Sequence, residues 1–285
     1  MRVFIHTNEK QLIGALVSRY TFERHNPGLT VDLINLHDYP SLNQRNGSNY
    51  LRNGELIAWD SEDLQTFTPL RFLPPQLCNY TGKALVVDPD VFCLKPIAAD
   101  LWDKVNPSSP IAARWIDGGH SHYWASSVMV LQCDGLRHWD FDLSINEMFQ
   151  LKRDYRAWIS LETEAHLKIN TLEERYNSFD KINDDTVLLH NTSRATQPWK
   201  TGLEIDYLKE RKGRKTLKTQ IKRIAKKILK PQPTQYYTEH PDETQSSLFF
   251  QNLSGAINSN YITADQLKWA IENKYVRQDL MELIK

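Results

Sequence analysis

The sequence predicts an α/β protein: a mixed, mainly parallel sheet flanked by helices and followed by a helical C-terminal tail. Three observations carry this. Strand and helix signals alternate through the first two hundred residues, the pattern of a sheet whose faces are covered by helices. Ala84, Leu85, Val86 and Val87 form an unbroken apolar run with β-branched members, as expected of a strand buried on both faces. Beyond Gly202 the composition shifts to a basic stretch, a Pro-bearing stretch and two short helical segments.

Met1 to Thr7, MRVFIHT, reads as the first strand, followed by a polar loop and a helix over Gln11 to Arg24. Thr30 to Leu36 alternates apolar and polar residues and makes a second strand. Asp38 to Thr66 is rich in Asn, Gly and Ser and reads as an excursion over the sheet edge. Phe67 to Asn79 has helical character up to the Pro74-Pro75 interruption and leads into the strand of residues 84 to 87. Ile111 to Trp115, Ser126 to Leu131 and Thr186 to His190 read as later strands, with helical stretches over Ile145 to Lys152 and Ser160 to Lys168. Pro231 to Pro241 reads as a linker to helices over Thr244 to Asn258 and Ala264 to Tyr275. The expected organisation is a unit of residues 1–205 and a tail of residues 206–285.

Composition excludes several classes. A hydrophobic content of 40% fits a globular chain, and no fixed-period repeat is visible. No run approaches the roughly 18 apolar residues of a membrane-spanning helix, and the N-terminus enters a strand with no secretory pattern; a cytoplasmic protein is expected. Cys78, Cys93 and Cys133 are scattered among apolar neighbours with no CxxC spacing, which points to buried thiols. The chain is neutral overall, yet residues 209 to 230 hold eleven Lys and Arg against Glu210 alone. Leu217, Ile221, Ile224, Ala225, Ile228 and Leu229 recur there at helical spacing. A basic amphipathic helix of this kind suits an anionic membrane surface, so peripheral membrane docking is expected, the plainer reading being a helix packed on the domain with a solvated basic face. Nucleic acid is not expected, since neither interleaved aromatics nor a recognised motif accompanies the charge.

The chemistry is read chiefly from KALVVDPDVFCLKPI, Lys83 to Ile97. Asp88 and Asp90 follow the apolar run directly, at the carboxyl end of the strand, where open α/β sheets place their ligands. In extended backbone residues i and i+2 point to one side, so both carboxylates can converge on a hard cation such as Mn²⁺ or Mg²⁺. Asp140-Phe141-Asp142 has the same spacing after Leu136-Arg137-His138-Trp139 rather than after a buried strand, and is expected to be a solvated turn. His190 follows Val187-Leu188-Leu189 as Asp88 follows its own apolar run. His120 and His122 stand in a Gly-rich context and read as loop. Trp115, Trp124 and Trp158 are candidates for stacking on a sugar face, against the commoner reading of core residues.

KALVVDPDVFCLKPI resembles the strand and metal motif of nucleotide-sugar glycosyltransferases with the GT-A (Rossmann-like) fold, and within them glycosyltransferase family 8, typified by glycogenin and bacterial lipopolysaccharide galactosyltransferases. MRVFIHT, the arginine-bearing TPLRFLPPQL (Thr68 to Leu77) and the late LLHNTSRATQPWKTG (Leu188 to Gly202) fall in the same order as in that family. Ser126-Ser127 stands where the family has Asn-Ser or Ser-Gly. The resemblance spans residues 1 to about 205.

It implies transfer of a sugar from a nucleotide diphosphate sugar, by resemblance a UDP-sugar, to a hydroxyl of a glycan or lipid-linked acceptor, with retention of configuration. It implies Mn²⁺ or Mg²⁺ held by Asp88, Asp90 and His190. Arg71 would face the donor, Thr7 and Asn8 would lie near the base or ribose, and Arg194 or Lys200 would neutralise the departing phosphate. Glu162, or Glu164 in its place, would lie near the reacting sugar. The chain departs from the family at Ser193, where a Gly is usual, and at Gln197, where a Lys precedes Pro-Trp; Lys200 instead follows Trp199. A nucleotidyltransferase using the same metal chemistry, or a binding module without turnover, are the alternative readings.

Overall fold

The computed structural model of the chain describes residues 1–118, 122–207 and 234–284. Strand β1 (Arg2–Thr7) leads through a 3-10 turn into helix α1 (Leu12–His25) and strand β2 (Thr30–Asn35). The excursion that follows contains a hairpin, β3 (Asn49–Arg52) and β4 (Glu55–Ala58), and then a 3-10 helix over Leu64–Phe72. Pro69 lies inside that segment and Pro74-Pro75 opens a new short turn, so the α-helix expected from Phe67 is 3-10 up to Phe72. Strands β5 (Lys83–Val87), β6 (Val91–Cys93), β7 (Ile111–Asp117) and β8 (His122–Gln132) come next. Helices α2 (Phe141–Phe149) and α3 (Tyr155–Ile159), and short strands β9 (Ile169–Thr171), β10 (Ser178–Phe179) and β11 (Leu188–His190), complete the unit.

The main sheet has the order β2-β1-β5-β8-β7-β9. Only β8 runs against the others, so the sheet is mixed and mainly parallel, as expected. Its central strands are buried on both faces: Phe4, Ala84, Val86, Met129 and Leu131 enter one core, Val3, Ile5, Leu85, Val87, Val128 and Val130 the other. Alternation of side chains along each strand divides the apolar runs between the two faces.

A second sheet of order β10-β11-β6 stands at the carboxyl edge of β5. Strands β6 and β10, of three and two residues, are too short for periodicity to reveal, whereas β11 forms the end of the strand expected over Thr186 to His190. The two helices expected in residues 145–168 are displaced: α2 begins at Phe141, and α3 ends at Ile159 because Leu161 takes a left-handed backbone (φ 62°) into a 3-10 turn over Glu162–Glu164.

The tail helices α4 (Glu243–Asn258) and α5 (Ala264–Glu272) lie close to their expected ranges, capped by Asp242 and by a Thr263/Gln266 capping box. Phe249, Leu253, Ala256 and Leu267 share a core with Ile13, Leu16 and Val17 of α1 and with Trp199. Gly255 lets α4 approach α1, since a Cβ there would collide with Tyr20. The described part of the expected linker is not a free strap: Tyr237 is buried, its N–H donates to Leu203 O (2.8 Å) and its hydroxyl to Asp206 Oδ1 (2.5 Å). The basic segment 209–230, with its expected amphipathic helix, lies outside the described residues, as does His120. No helix among the described residues is long and apolar enough to cross a membrane.

Candidate metal and ligand site

The turn joining β5 to β6 carries Asp88, Pro89 and Asp90, and neighbouring backbone fixes it on several sides. Asp88 N–H donates to Ser127 O (3.0 Å), Asn191 N–H to Asp90 O (3.0 Å) and Ser18 Oγ to Val91 O (2.5 Å). Gly14 of α1 allows the closest approach, because a Cβ there would lie 3.2 Å from Pro89 O and 3.0 Å from Trp199. Strand β11 pairs antiparallel with β6, His190 opposite Val91, which brings the imidazole beside both carboxylates. One ligand atom each from Asp88, Asp90 and His190 lie within 4.8 Å of one another. The three residues predicted to hold a cation are therefore brought together by one strand pairing between segments far apart in the chain.

Each ligand is oriented by a second layer. Arg71 grips Asp88 with both arms of its fork, Nε to Oδ1 at 2.9 Å and Nη2 to Oδ2 at 2.5 Å, and Nη1 reaches Ser126 Oγ at 2.9 Å. His6 Nε2, fully buried, donates to Asp88 Oδ1 at 2.9 Å. Burial opposes ionisation of Asp88, but Arg71 and His6 outweigh it and hold the carboxyl well below the usual range. Burial lowers the pKa of His6 and keeps it neutral despite Asp88.

Asp90 is held from the other side. Gln197 Nε2 donates to Asp90 Oδ2 (3.0 Å), and Gln11 Nε2 donates to Gln197 Oε1 (2.9 Å). The second oxygen, Oδ1, is a buried acceptor that no donor among the described residues serves; His190 Nε2 stands 3.3 Å away without hydrogen-bond alignment.

The tautomer of His190 follows from its partner. Asn177 Nδ2 donates to Ser127 Oγ (3.1 Å), leaving Asn177 Oδ1 to accept from His190 Nδ1–H at 3.0 Å. The lone pair of Nε2 is then directed to Asp88 and Asp90, the usual way a second-layer carbonyl prepares a metal-binding imidazole. Burial disfavours a charged His190, but Asp90 and Asp88 outweigh it and raise its pKa. Two carboxylates, an oriented imidazole and an oxygen without a donor fit a divalent cation, and the nitrogen among oxygens suits Mn²⁺ better than Mg²⁺.

These residues form the floor of a cleft of about 330 Å³ walled by Thr68, Arg71, Tyr123, Trp124, Arg156 and Arg194. A β-bulge in the β7–β8 pairing after Ala113 turns Ser126 and Ser127 onto Arg71, Asn177 and Asp88.

The other expected site residues are distributed unevenly. Arg194 is exposed on the cleft wall, its guanidinium over the Tyr207 ring. Lys200 is not in the cleft: it is buried, 2.6 Å from Asp206 Oδ2, and burial lowers its pKa in spite of that partner. The reason is Trp199, which stacks on Phe249 in the core shared with the tail and draws its neighbour in with it. Glu162 is exposed and accepts from Ser160 Oγ (2.9 Å), while Glu164 is buried against His138; neither lines the cleft, because the left-handed Leu161 turns the chain away after Ile159. Thr7 donates to Asn8 O, and Asn8 caps the following 3-10 turn and donates to Leu64 O (3.0 Å). Asn8 borders an adjoining depression with Asn35, His37 and Glu62, at the ends of β1 and β2.

Of the tryptophans, Trp124 lines the cleft, Trp158 stacks on Phe72 in the core, and Trp115 is exposed against Trp124 and His122. Asp140 is not in a loose turn but caps α2, accepting from Leu143 N–H at 2.9 Å.

No family model matches the chain, and no curated protein sequence does either. This chain is similar to several solved glycosyltransferases. One is galactosyltransferase LgtC in complex with donor and acceptor sugar analogs, at 13% identity over 70% of this chain and 89% of that one, with a TM-score of 0.45. GlyE of Streptococcus pneumoniae TIGR4 shares 18% identity over 75% of this chain and 58% of its own, at 0.46. Mouse xyloside xylosyltransferase 1 shares 10% over 67% and 97%, at 0.44. With TM-scores below 0.5, these likenesses assign neither a reaction nor a ligand to this chain.

His6, Gln11, Asn177 and Arg156 are site residues that sequence reading did not assign. His6 carried a signal, an imidazole directly after the apolar run Val3-Phe4-Ile5 of the first strand. Gln11 carried none, since its side chain meets Gln197 across 186 positions.

Proposed function

We propose that the protein is a metal-dependent glycosyltransferase that takes a sugar from a nucleotide diphosphate sugar, a UDP-sugar by the resemblance of its motifs, and places it on the hydroxyl of a glycan or lipid-linked acceptor. The observation that carries this reading is the Asp88/Asp90/His190 cluster, with its unserved Asp90 oxygen, on the floor of a cleft at the carboxyl ends of β1 and β5. Mn²⁺ bound there would supply charge neutralisation for a diphosphate leaving group.

The residues of the chain do the rest. Asp88 is kept ionised by Arg71 and His6, and Asp90 is presented by the Gln11–Gln197 pair. Arg194 on the wall adds positive potential where a phosphate would stand. Tyr123 and Trp124 offer apolar faces of the kind sugars stack on. Among the described residues the cleft has no carboxylate besides Asp88 and Asp90. That supports displacement on the leaving-group face, with retention, over a covalent carboxylate intermediate or a carboxylate base on the opposite face.

The test is a screen of nucleotide sugars with Mn²⁺, scoring bound donor and released nucleotide. Release of a nucleoside diphosphate supports the proposal. Release of pyrophosphate would instead make the protein a nucleotidyltransferase, and binding without any turnover would make it a binding module.

A further inference from the structure

We propose that His138, Glu164 and His166 form a second metal site, remote from the cleft and suited to Zn²⁺. One ligand atom from each lies within 4.8 Å of the others. His138 Nε2 is 2.8 Å from Glu164 Oε2, and the two imidazole rings stand edge to face with centroids 5.4 Å apart. None of the three lines the cleft.

The donors sit on anchored backbone. Trp139, next to His138, is buried against Phe72, and Leu161, which sets the turn carrying Glu164 and His166, is 1% exposed. Glu164 itself is buried, with a side chain only 4% exposed, whereas both histidines are open to solvent. An ion can therefore arrive from solution and find a carboxylate already fixed at the base of the site.

The donor set chooses the ion. Two imidazoles and one carboxylate favour Zn²⁺ over Mn²⁺ or Mg²⁺, which prefer oxygen, and three protein ligands leave a position for water. The Asp88/Asp90/His190 cluster has the opposite balance, two oxygens to one nitrogen, so the two sites differ in selectivity. A bound ion would fasten the turn after Leu136 to the segment that follows the cleft-wall residues Arg156 and Ile159.

The experiment is calorimetric titration of the tag-free full chain with Zn²⁺, made in an Asp90→Asn background that disables the cleft cluster, with Co²⁺ absorption as a second readout of imidazole ligation. Removing His138 leaves Oε2 of the buried Glu164 without its imidazole partner, so the decisive variant is His166→Ala, whose exposed side chain lacks such a role. One Zn²⁺ per chain is expected in Asp90→Asn, with affinity falling about tenfold or more when His166→Ala is added. The metal-free unfolding curves of the two should overlay. Absence of Zn²⁺ binding in Asp90→Asn, or the same affinity with and without His166, overturns the proposal.

Discussion

Asp88-Pro89-Asp90 and Asp140-Phe141-Asp142 have the same spacing and opposite fates. At the first, the chain leaves a strand buried on both faces, and β11, Arg71, His6 and Gln197 close around the two acids. At the second, Phe141 is buried while Asp140 and Asp142 face solvent, and the Asp140 carboxylate accepts the Leu143 N–H at the start of α2. The spacing of two carboxylates thus says little by itself. What makes one pair a candidate metal site is the element before it and the partners that meet it from elsewhere.

The comparison can be broken by substitution, most severely at Asp88. Asp88→Ala would leave Arg71 half-buried without its carboxylate, and a loss of about 3 kcal/mol is expected in metal-free denaturant unfolding. The same pair predicts a pH dependence. Because the folded carboxyl lies below its ordinary 3.8, its contribution is complete above that pH and is lost as pH falls toward the folded value. The stability gap between wild type and Asp88→Ala should therefore be constant near neutrality and begin to narrow below about pH 4. A gap that failed to narrow at all between about pH 5 and pH 3 would show that Asp88 acts through packing.

Asp140→Ala should cost about 1 kcal/mol, the usual worth of a helix cap, and leave Mn²⁺ binding untouched. Asp142→Ala should stay within about 0.5 kcal/mol of wild type by the same unfolding measurement. If either variant weakened metal binding as much as a change at Asp88, the distinction between the two segments would fail.

How much of this was legible in the sequence depended on whether a signal was local. The apolar run 84–87, the His190 strand and both tail helices were local, and the structure has them close to where the sequence put them. The alternation of Phe4, Ala84 and Val86 to one face and of Val3, Ile5 and Leu85 to the other follows directly from buried strands. Strands β6 and β10 were too short to read, yet they position His190. Glu162 and Lys200 were placed by resemblance of order along the chain. One backbone angle at Leu161 and one buried indole at Trp199 moved them out of the cleft.

Asp90 tests the central claim most directly, because among the described residues its Oδ1 accepts no hydrogen bond and an Asn there keeps the side chain's shape, so its substitution should cost little in folding. The measurement is Mn²⁺ titration, followed by electron paramagnetic resonance, of wild type and Asp90→Asn in the presence of UDP, beside their metal-free unfolding curves. One tightly bound ion per wild-type chain is predicted, with affinity reduced about tenfold or more in Asp90→Asn while the two unfolding curves overlay. Equal Mn²⁺ affinity in the two proteins would contradict the assignment of Asp88, Asp90 and His190 as the metal site.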